Sequence, residues 1–495
     1  MIKSEFLDKY ERIHFIGVGG ISMSGLAKYC VAIGKKVSGS DVAENKLTAE
    51  LVKAGVRIYT GHRSENLTDA QLVVYTSAIK ENNPELVEAV RLKLPLKKRS
   101  EILGEIMRSF GNSVAVSGCH GKTTTTAMIT RIFECAGKDP VAFLGGTDFE
   151  TGNFRMGDGD FGICEACEYR RNFLDITPTV AVVLNIDDDH LDSYGDIDNV
   201  KKAFSDFSRG RLTVVNADDP GCADIPFKTA ITFGIENEAT YKAINLIKNK
   251  NGYSFTAIGR GNILGRVNLK VAGLHNVYNA LAAISVGDSF FIDFKSIKSA
   301  LDNFRGVARR MERIGKINGI ESFADYAHHP REIAATMKDF GKNKKFAVIF
   351  QPHTFSRTRT LMNEFVDCLK DFSTLVIFKT YSAREDYDMK GSAYALYCNL
   401  VNTGFEKSNL SEKDSAYEQE KSEREQDKNV GSKTLQNNCV KKIKEGEIKD
   451  KTIYYAQSTE NLKNIILSFD KSVESLIFVG AGDIYETAKS FITDV

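Results

Sequence analysis

One short run combines the residue types that bind phosphate. It comprises Gly118, Cys119, His120, Gly121, Lys122, Thr123 and Thr124, and only Ser117 separates it from the apolar residues 114–116. Glycines let backbone N–H groups curl around a phosphate, and the N-terminus of a following helix adds donors and a positive dipole end. The lysine would reach the terminal phosphates, and the first threonine hydroxyl can hold a magnesium ion. The run therefore predicts an ATP site.

The spacing of this run differs from that of the common phosphate loop. Two residues separate Gly118 from Gly121 where four are usual, and Val116 stands where the first glycine would be. A strand, Gly-Lys-Thr and a predicted helix over 125–136 nevertheless follow one another in the required order. A strand-to-helix turn without a ligand is the alternative.

A second glycine-rich turn follows the first predicted strand. Gly17, Gly19 and Gly20 precede a helix, and Asp41 ends the next strand at about the distance typical of dinucleotide-binding folds. Ser22 stands where that fingerprint has its third glycine. The turn thus predicts a phosphate contact without specifying NAD. An NAD-dependent oxidoreductase stays an alternative, against which Ser22 and the Gly-Lys-Thr run both count.

Carboxylates and a histidine follow two other predicted strands. His190 closes a run of aspartates after the strand over 179–185, and Glu165 ends the strand before it. The carboxyl ends of parallel strands meet at one edge of a sheet, so these side chains can converge. Carboxylate and imidazole beside a triphosphate indicate Mg²⁺. A loop histidine without a metal is the alternative for His190.

The last third of the chain carries two further polar motifs. His328 lies in the motif over 325–330, which begins with Asp325, and His353 begins a motif that contains Arg357 and Arg359. Arginines of this kind can hold a carboxylate or phosphate through two parallel hydrogen bonds. A solvated basic turn is the alternative.

Length and composition limit the class of protein. The chain has 495 residues, which suggests about three domains at roughly 150 residues each. A net charge of +1 gives no indication of nucleic-acid binding. We see no signal peptide and no apolar run of the roughly 20 residues that a membrane span needs. The nine scattered cysteines fit reduced thiols in a cytoplasm, and we interpret the Cys164/Cys167 spacing as chance.

Strands that alternate with helices predict an α/β fold with parallel, doubly wound sheets. We predict three domains, over residues 1–110, 111–311 and 312–495. Residues 411–451 are rich in charged and small polar side chains and poor in large apolar ones. Such a segment cannot bury enough surface to offset its ordering entropy, so we predict a disordered or loosely helical surface insertion.

Taken together, these motifs resemble the Mur ligase family over nearly the whole chain outside 411–451. The resemblance implies a Rossmann-like UDP-sugar domain, a central ATPase-like domain with a phosphate loop, and a Rossmann-like C-terminal domain. It implies ATP-dependent amide-bond formation through an acyl phosphate, with Mg²⁺, in peptidoglycan precursor biosynthesis. The implied substrates are UDP-N-acetylmuramate and L-alanine, and the implied state is a monomer or weak homodimer in the cytoplasm.

The resemblance also implies residue roles. Residues 118–124 would hold the ATP phosphates, and Asn276 and Asn279 would contact the nucleotide. Thr123, Glu165 and His190 would bind magnesium, directly or through water. Arg310 and Asp325 match positions where the C-terminal domain closes over ATP. The UDP-sugar would contact Gly17, Gly19, Gly20, Ser22 and Ser77, and the amino-acid end would contact His328, His353, Arg357 and Arg359, with His328 as a candidate base.

Two departures from the family pattern leave questions open. Cys119 stands where the family usually has threonine, and a thiol at a helix N-terminus favours the reactive thiolate. Glu168 competes with Glu165 for the metal, and we favour Glu165 because it is nearer the strand end. A relative that recycles a murein tripeptide is the nearest alternative, because it shares the first domain. A folylpolyglutamate-type enzyme resembles only the last two domains.

Overall fold

Three mainly parallel sheets, each flanked by helices, carry the fold. The computed structural model describes residues 4–187, 191–249, 252–338, 345–383, 385–408, 451–470 and 472–493. They divide into two compact units, Met1–Ala308 and Arg309–Val495. His190 and residues 411–450 of the predicted insertion lie outside the described residues. The α/β class predicted from the sequence is confirmed.

The first sheet is wholly parallel and has the order β3-β2-β1-β4-β5. Its strands turn apolar side chains to both faces, as expected where helices cover a parallel sheet. The elements of this part are β1 (Arg12–Ile16), α1 (Ile21–Ala32), β2 (Lys36–Asp41), α2 (Lys46–Lys53), β3 (Arg57–Thr60), β4 (Leu72–Tyr75), α3 (Pro84–Arg91), β5 (Leu96–Lys98) and α4 (Arg99–Met107).

The central sheet continues the same unit. Its elements are β6 (Asn112–Ser117), α5 (Lys122–Cys135), β7 (Val141–Asp148), β8 (Gly152–Arg155), β9 (Phe161–Glu165), β10 (Val180–Val183), α6 (Leu191–Tyr194), α7 (Ile197–Ser208), β11 (Leu212–Asn216), α8 (Pro220–Ala223), β12 (Ala230–Gly234), β13 (Tyr241–Asn249), β14 (Gly252–Gly259), β15 (Asn262–Leu269), α9 (Leu274–Ser289) and α10 (Phe294–Asp302). The strand order is β15-β14-β13-β12-β11-β10-β6-β9-β7-β8. The hairpins β7–β8 and β13–β14–β15 are antiparallel. Strand β6, which leads into the phosphate loop, therefore lies between β10 and β9.

The second unit contains the third sheet. Its elements are β16 (Glu312–Ile317), β17 (Ile320–Asp325), α11 (Pro330–Lys338), β18 (Phe346–Phe350), α12 (Phe355–Thr360), α13 (Met362–Leu369), β19 (Thr374–Phe378), α14 (Ala393–Val401), β20 (Glu406–Lys407), β21 (Thr452–Ala456), α15 (Thr459–Leu467), β22 (Ser475–Val479) and α16 (Ile484–Ser490). The strand order is β16-β17-β22-β18-β19-β21-β20, with only the β16–β17 pair antiparallel among the described strands.

Four short 3-10 turns complete the described elements, at Leu7–Lys9, Ser64–Leu67, Tyr169–Asp175 and Met389–Gly391. None of the helices that the structure describes has both the length and the apolar character that crossing a bilayer would require.

Candidate active site

The loop between β6 and α5 has a backbone that only glycine adopts easily. Gly118 has φ 133° and Gly121 has φ 84°, both in the left-handed region that L side chains rarely occupy. A Cβ on Gly121 would lie 2.5 Å from the side-chain oxygen of Asn279. Gly121 precedes α5 and no side chain caps that helix. The first N–H groups of α5 are therefore available to an anion.

Hydrogen bonds hold the loop against the end of β10. Asn185 Oδ1 accepts the His120 N–H at 2.8 Å, and Asn185 Nδ2 donates to the His120 carbonyl at 3.0 Å. The Cys119 sulfur accepts the Asp187 N–H at 3.2 Å. The predicted aspartate run thus begins beside the loop, while His190 lies outside the described residues.

Lys122 lies in the first turn of α5 with its ammonium over the loop. Its Nζ donates to the Gly118 carbonyl at 2.6 Å and the Cys119 carbonyl at 3.1 Å, and it lies 3.0 Å from Glu168. Burial would lower the pKa of Lys122, but nearby carboxylates, first that of Glu168, outweigh burial and raise the pKa above its ordinary value. The group is therefore a permanent cation at the loop.

Thr123 and Glu165 form a pair of hard oxygen donors beside Lys122. The Thr123 hydroxyl donates to Glu165 Oε2 at 2.6 Å, and that oxygen also accepts the Gly145 N–H at 2.9 Å. Mg²⁺ in phosphate sites usually uses one or two protein oxygens, with phosphate and water supplying the rest. The pair fits such an ion. Among the described residues, no cluster of three or more metal-binding side chains occurs.

The two predicted nucleotide-contacting asparagines lie together at the start of α9. Asn279 Nδ2 donates to Asn276 Oδ1 at 3.0 Å, and Asn276 Nδ2 donates to the Ala272 carbonyl at 2.5 Å. Both side chains are buried. Because Asn279 also touches Gly121, this pair lies directly against the phosphate loop.

The glycine turn after β1 is built around Asp41. The Gly19 N–H donates to Asp41 Oδ2 at 2.8 Å, and a Cβ on Gly19 would lie 2.9 Å from that oxygen. Gly17 has φ 82°. Gly20 precedes α1 without a side-chain cap, and Ser22 lies in the first turn. Asp41 therefore shapes the turn and leaves a helix N-terminus for a ligand.

Ser77 lies past the end of β4, in an exposed turn. Its carbonyl accepts from the Arg170 guanidinium at 3.3 Å. Two parallel strands of the first sheet, β1 and β4, thus place the glycine turn and Ser77 at the same sheet edge.

In the second unit, Arg310 lies just before β16, and Asp325 is the last residue of β17. Buried Asp325 accepts the Ala327 N–H at 2.8 Å and the Met311 N–H at 2.9 Å, and burial raises its pKa. The Arg310 guanidinium lies 3.7 Å from Glu332. These contacts fix the segment that leads into β16.

His328 and His353 form a cluster in the same unit. Their ring centroids lie 5.7 Å apart, and His353 stacks on Tyr381 at 5.5 Å. His328 Nδ1 lies 2.9 Å from the Tyr326 carbonyl, which fixes the proton on Nδ1 and leaves Nε2 as an acceptor. Burial lowers the pKa of both, that of His353 to about 4. Both rings are therefore neutral near pH 7.

The two arginines of the same motif differ in surroundings. Arg357 Nη1 lies 3.4 Å from His353 Nδ1, inside the cluster. Arg359 pairs with Asp388 at 2.7 Å on an exposed surface of α12. The structure thus brings His328, His353 and Arg357 together and leaves Arg359 beside them with its own partner.

Sequence reasoning missed two polar contacts at the site. Glu168, considered only as a rival metal ligand, is the partner of Lys122. Asn153 in β8 donates to the Ile21 carbonyl at 2.6 Å and the Ser24 hydroxyl at 2.9 Å. The spacing of Glu165 and Glu168 marked Glu168 only as a second candidate for the metal and did not indicate its pairing with Lys122. No local signal exists for the second, which joins residues over 100 positions apart.

Comparison with known proteins gives consistent matches. Models described as the Mur ligase family catalytic domain, the Mur ligase middle domain and the Mur ligase glutamate ligase domain match residues 12–111, 116–287 and 309–423. A UDP-N-acetylmuramate–L-alanine ligase of Aquifex aeolicus is 43% identical over 390 residues, 77% of this chain and 86% of the relative. A ligase of the same name from Clostridium novyi is 37% identical over 98% of both chains.

Solved structures agree. The UDP-N-acetylmuramate–alanine ligase of Thermotoga maritima has a TM-score of 0.76 at 28% identity, covering 97% of this chain and 98% of that chain. A murein peptide ligase of Psychrobacter arcticus has a TM-score of 0.66 at 21% identity over 97% and 98%, and so shares the fold.

Proposed function

This chain belongs to the Mur ligase family, and we propose that it joins L-alanine to UDP-N-acetylmuramate at the expense of ATP, in peptidoglycan precursor biosynthesis. The observation that carries the proposal is the phosphate loop, where a cationic Lys122 and the Thr123–Glu165 oxygen pair lie side by side. Relatives that carry this activity in their names match the chain at 37–43% identity.

The chemistry requires an activated carboxylate. A free carboxylate is a poor acyl donor because its leaving group would be oxide, whereas an acyl phosphate releases phosphate. The lactyl carboxylate of the sugar nucleotide would attack the γ-phosphate of ATP in line, and ADP would leave as the bond between the γ-phosphorus and the bridging oxygen breaks. Lys122 would neutralise charge on the transferring group, and the N–H groups at the start of α5 would orient it, so catalysis rests on positioning and electrostatics.

A magnesium ion, when bound, would neutralise phosphate charge, and the hydroxyl of Thr123 and the carboxylate of Glu165 would hold it. His190 is proposed as a third contributor. Glu168 is engaged with Lys122, which supports Glu165 as the residue nearer the metal.

The amine of L-alanine must be neutral when it attacks the acyl carbon. His328 is the proposed base, because its Nδ1 faces the Tyr326 carbonyl and its Nε2 is free to accept a proton. Arg357 beside His353 would hold the carboxylate of the amino acid.

From the resemblance to the family we also propose domain boundaries at residues 110 and 311, a cytoplasmic location, and a monomer or weak dimer.

Phosphate release tests the proposal. The reaction mixture contains ATP, Mg²⁺, UDP-N-acetylmuramate and L-alanine, and each is omitted in turn. We expect release only from the complete mixture. Release that does not depend on the sugar nucleotide would overturn the assignment. Replacing L-alanine by a murein tripeptide separates the synthetic enzyme from a recycling ligase, since only the latter would be faster with the tripeptide.

A further inference from the structure

A cleft in the first unit lies between the glycine turn after β1, which we propose to hold the sugar nucleotide, and the Thr123–Glu165 pair, which we propose to hold magnesium. The lining of the cleft includes Ser22 from the start of α1, Gly145 from the middle of β7 and Glu165 from the end of β9. The cleft therefore lies where a substrate held by the glycine turn would present a group to the phosphate loop.

Arg99 is the cationic residue that lines this cleft. It is the first residue of α4, and Leu103, one turn later on the same face, lines the cleft beside it. Its side chain is half-buried. The part of the chain that the structure describes gives its guanidinium no hydrogen bond and no ion pair.

A half-buried arginine whose guanidinium has neither a hydrogen bond nor an ion pair is unusual in a protein. Neighbouring basic residues of the same region have partners: Lys97 pairs with Glu101 at 3.3 Å, and Lys28 with Glu50 at 2.9 Å. Arg99 lines the same cleft as Glu165 and Cys167, and among the described residues its guanidinium donors are unused.

We infer that Arg99 binds the carboxylate of the sugar nucleotide that is to be phosphorylated. This inference rests on the proposed function. Glu165, with the magnesium ion it would hold, lines the same cleft, so a carboxylate bound to Arg99 would share that cleft with the place where the γ-phosphate arrives. The planar fork of a guanidinium matches both carboxylate oxygens and fixes their direction. Arg99 then selects sugar nucleotides that carry an acidic group.

Calorimetric titration of two ligands tests the inference. UDP-N-acetylmuramate and UDP-N-acetylglucosamine share the nucleotide, the diphosphate and the sugar ring, but only the first carries the lactyl carboxylate. In Arg99→Ala we expect the Kd of UDP-N-acetylmuramate to rise about 10- to 100-fold, as for the loss of a charged hydrogen bond. The Kd of UDP-N-acetylglucosamine should change by less than about twofold. Arg99→Lys should recover part of the loss, because it keeps the charge without the fork.

The control is Arg91→Ala, which removes an exposed arginine of α3 that pairs with Glu88. It should leave both affinities unchanged. If Arg99→Ala weakens the binding of both ligands equally, the guanidinium contacts the diphosphate and the inference is overturned. Unchanged affinity for both ligands would also overturn it. If Arg99→Ala does not fold, Arg99→Gln is read by the same criteria. Failure of the unaltered chain to bind UDP-N-acetylmuramate would instead overturn the proposed function.

Discussion

Lys122 and Glu168 form a buried ion pair in which the ammonium nitrogen lies 3.0 Å from each carboxylate oxygen. The side chains are 14% and 2% exposed. The pair joins the helix of the phosphate loop to the segment after β9, next to the residue that we propose as a magnesium ligand. The ammonium of Lys122 can pair with the Glu168 carboxylate or with a phosphate. The carboxylate thus holds the ammonium in place before the reaction.

The first prediction separates the catalytic from the structural role of Lys122. Lys122→Ala should lower kcat by at least about a hundredfold, since it removes charge stabilisation from the transferring phosphoryl group. It should also lower the free energy of unfolding by about 3 kcal/mol, because Glu168 is left buried without its partner. The double variant Lys122→Ala/Glu168→Gln should recover stability but not activity. Near-normal turnover in the single variant would sink the ATP assignment.

The second prediction concerns Thr123 and Glu165, the two side chains that we propose to hold magnesium. Glu165→Gln keeps the size of the side chain but removes its charge, so the Mg²⁺ concentration for half-maximal phosphate release should rise about tenfold or more. Thr123→Val should act in the same direction. Glu238→Gln is the matched control, as Glu238 is 97% exposed and its ion-pair partner among the described residues is Lys242. An unchanged magnesium requirement in both active-site variants would contradict the assignment. Removing Mg²⁺ with a chelator should stop phosphate release.

Strand positions in this chain were predictable where apolar residues form a short continuous run. The apolar runs over 346–350, 374–378 and 212–216 form β18, β19 and β11, because parallel strands covered on both faces need such runs. The helix after the phosphate loop begins at Lys122 and not at residue 125. Its run of β-branched threonines has low helix propensity, and burial in the core overrides it.

Contacts between distant segments were not predictable. Asn153 reaches Ser24, and His353 stacks on Tyr381, yet neither pair leaves a periodic or spacing signal in the sequence. The glycine loops were found because their function requires a backbone that other residues resist. Arg99 was missed because a lone arginine at a helix start has no distinguishing pattern.

The third prediction is a pH profile. Burial holds the pKa of His328 below its ordinary value, against the smaller opposite effect of Glu332. A base must be neutral to accept a proton, so kcat should stay level as pH falls to about 6.5 and decline only below that. His328→Gln should lower kcat by about a hundredfold and abolish this acid limb. A limb that persists unchanged in the variant would assign it to another group.

The fourth prediction concerns a buried polar cluster near the glycine turn that follows β1. Glu85 accepts from Ser40 at 2.6 Å and from Asn66 at 2.6 Å, and lies 2.8 Å from His62. Burial alone would raise the pKa of Glu85, but hydrogen bonds from His14, Ser40 and Asn66 hold it below its usual value. Its contribution to stability is therefore complete above the unfolded pKa of about 4.3 and is lost as pH falls through the lower folded pKa.

Chemical unfolding of Glu85→Gln measures that contribution. The variant should be less stable by about 2 kcal/mol near pH 7, and the difference from the unaltered chain should shrink below about pH 4. Glu88→Gln, in the same helix but paired with the exposed Arg91, should change little. A stability difference that does not vary with pH would show that packing, and not the charge of Glu85, is what the variant disturbs.

The last prediction concerns Cys119, a buried residue that is 8% exposed and whose sulfur accepts the Asp187 N–H. Alkylation there would place bulk where the phosphates bind, so it should slow the enzyme, and bound ATP should protect it. Cys135, an exposed thiol at the other end of α5, supplies the control: Cys135→Ala should remain as sensitive as the unaltered chain. Cys119→Ala should become resistant and keep most of its activity, because the family usually has threonine there and no reaction step uses the thiol. Equal inactivation of Cys119→Ala would move the sensitivity to another thiol and leave Cys119 as a packing residue of the loop.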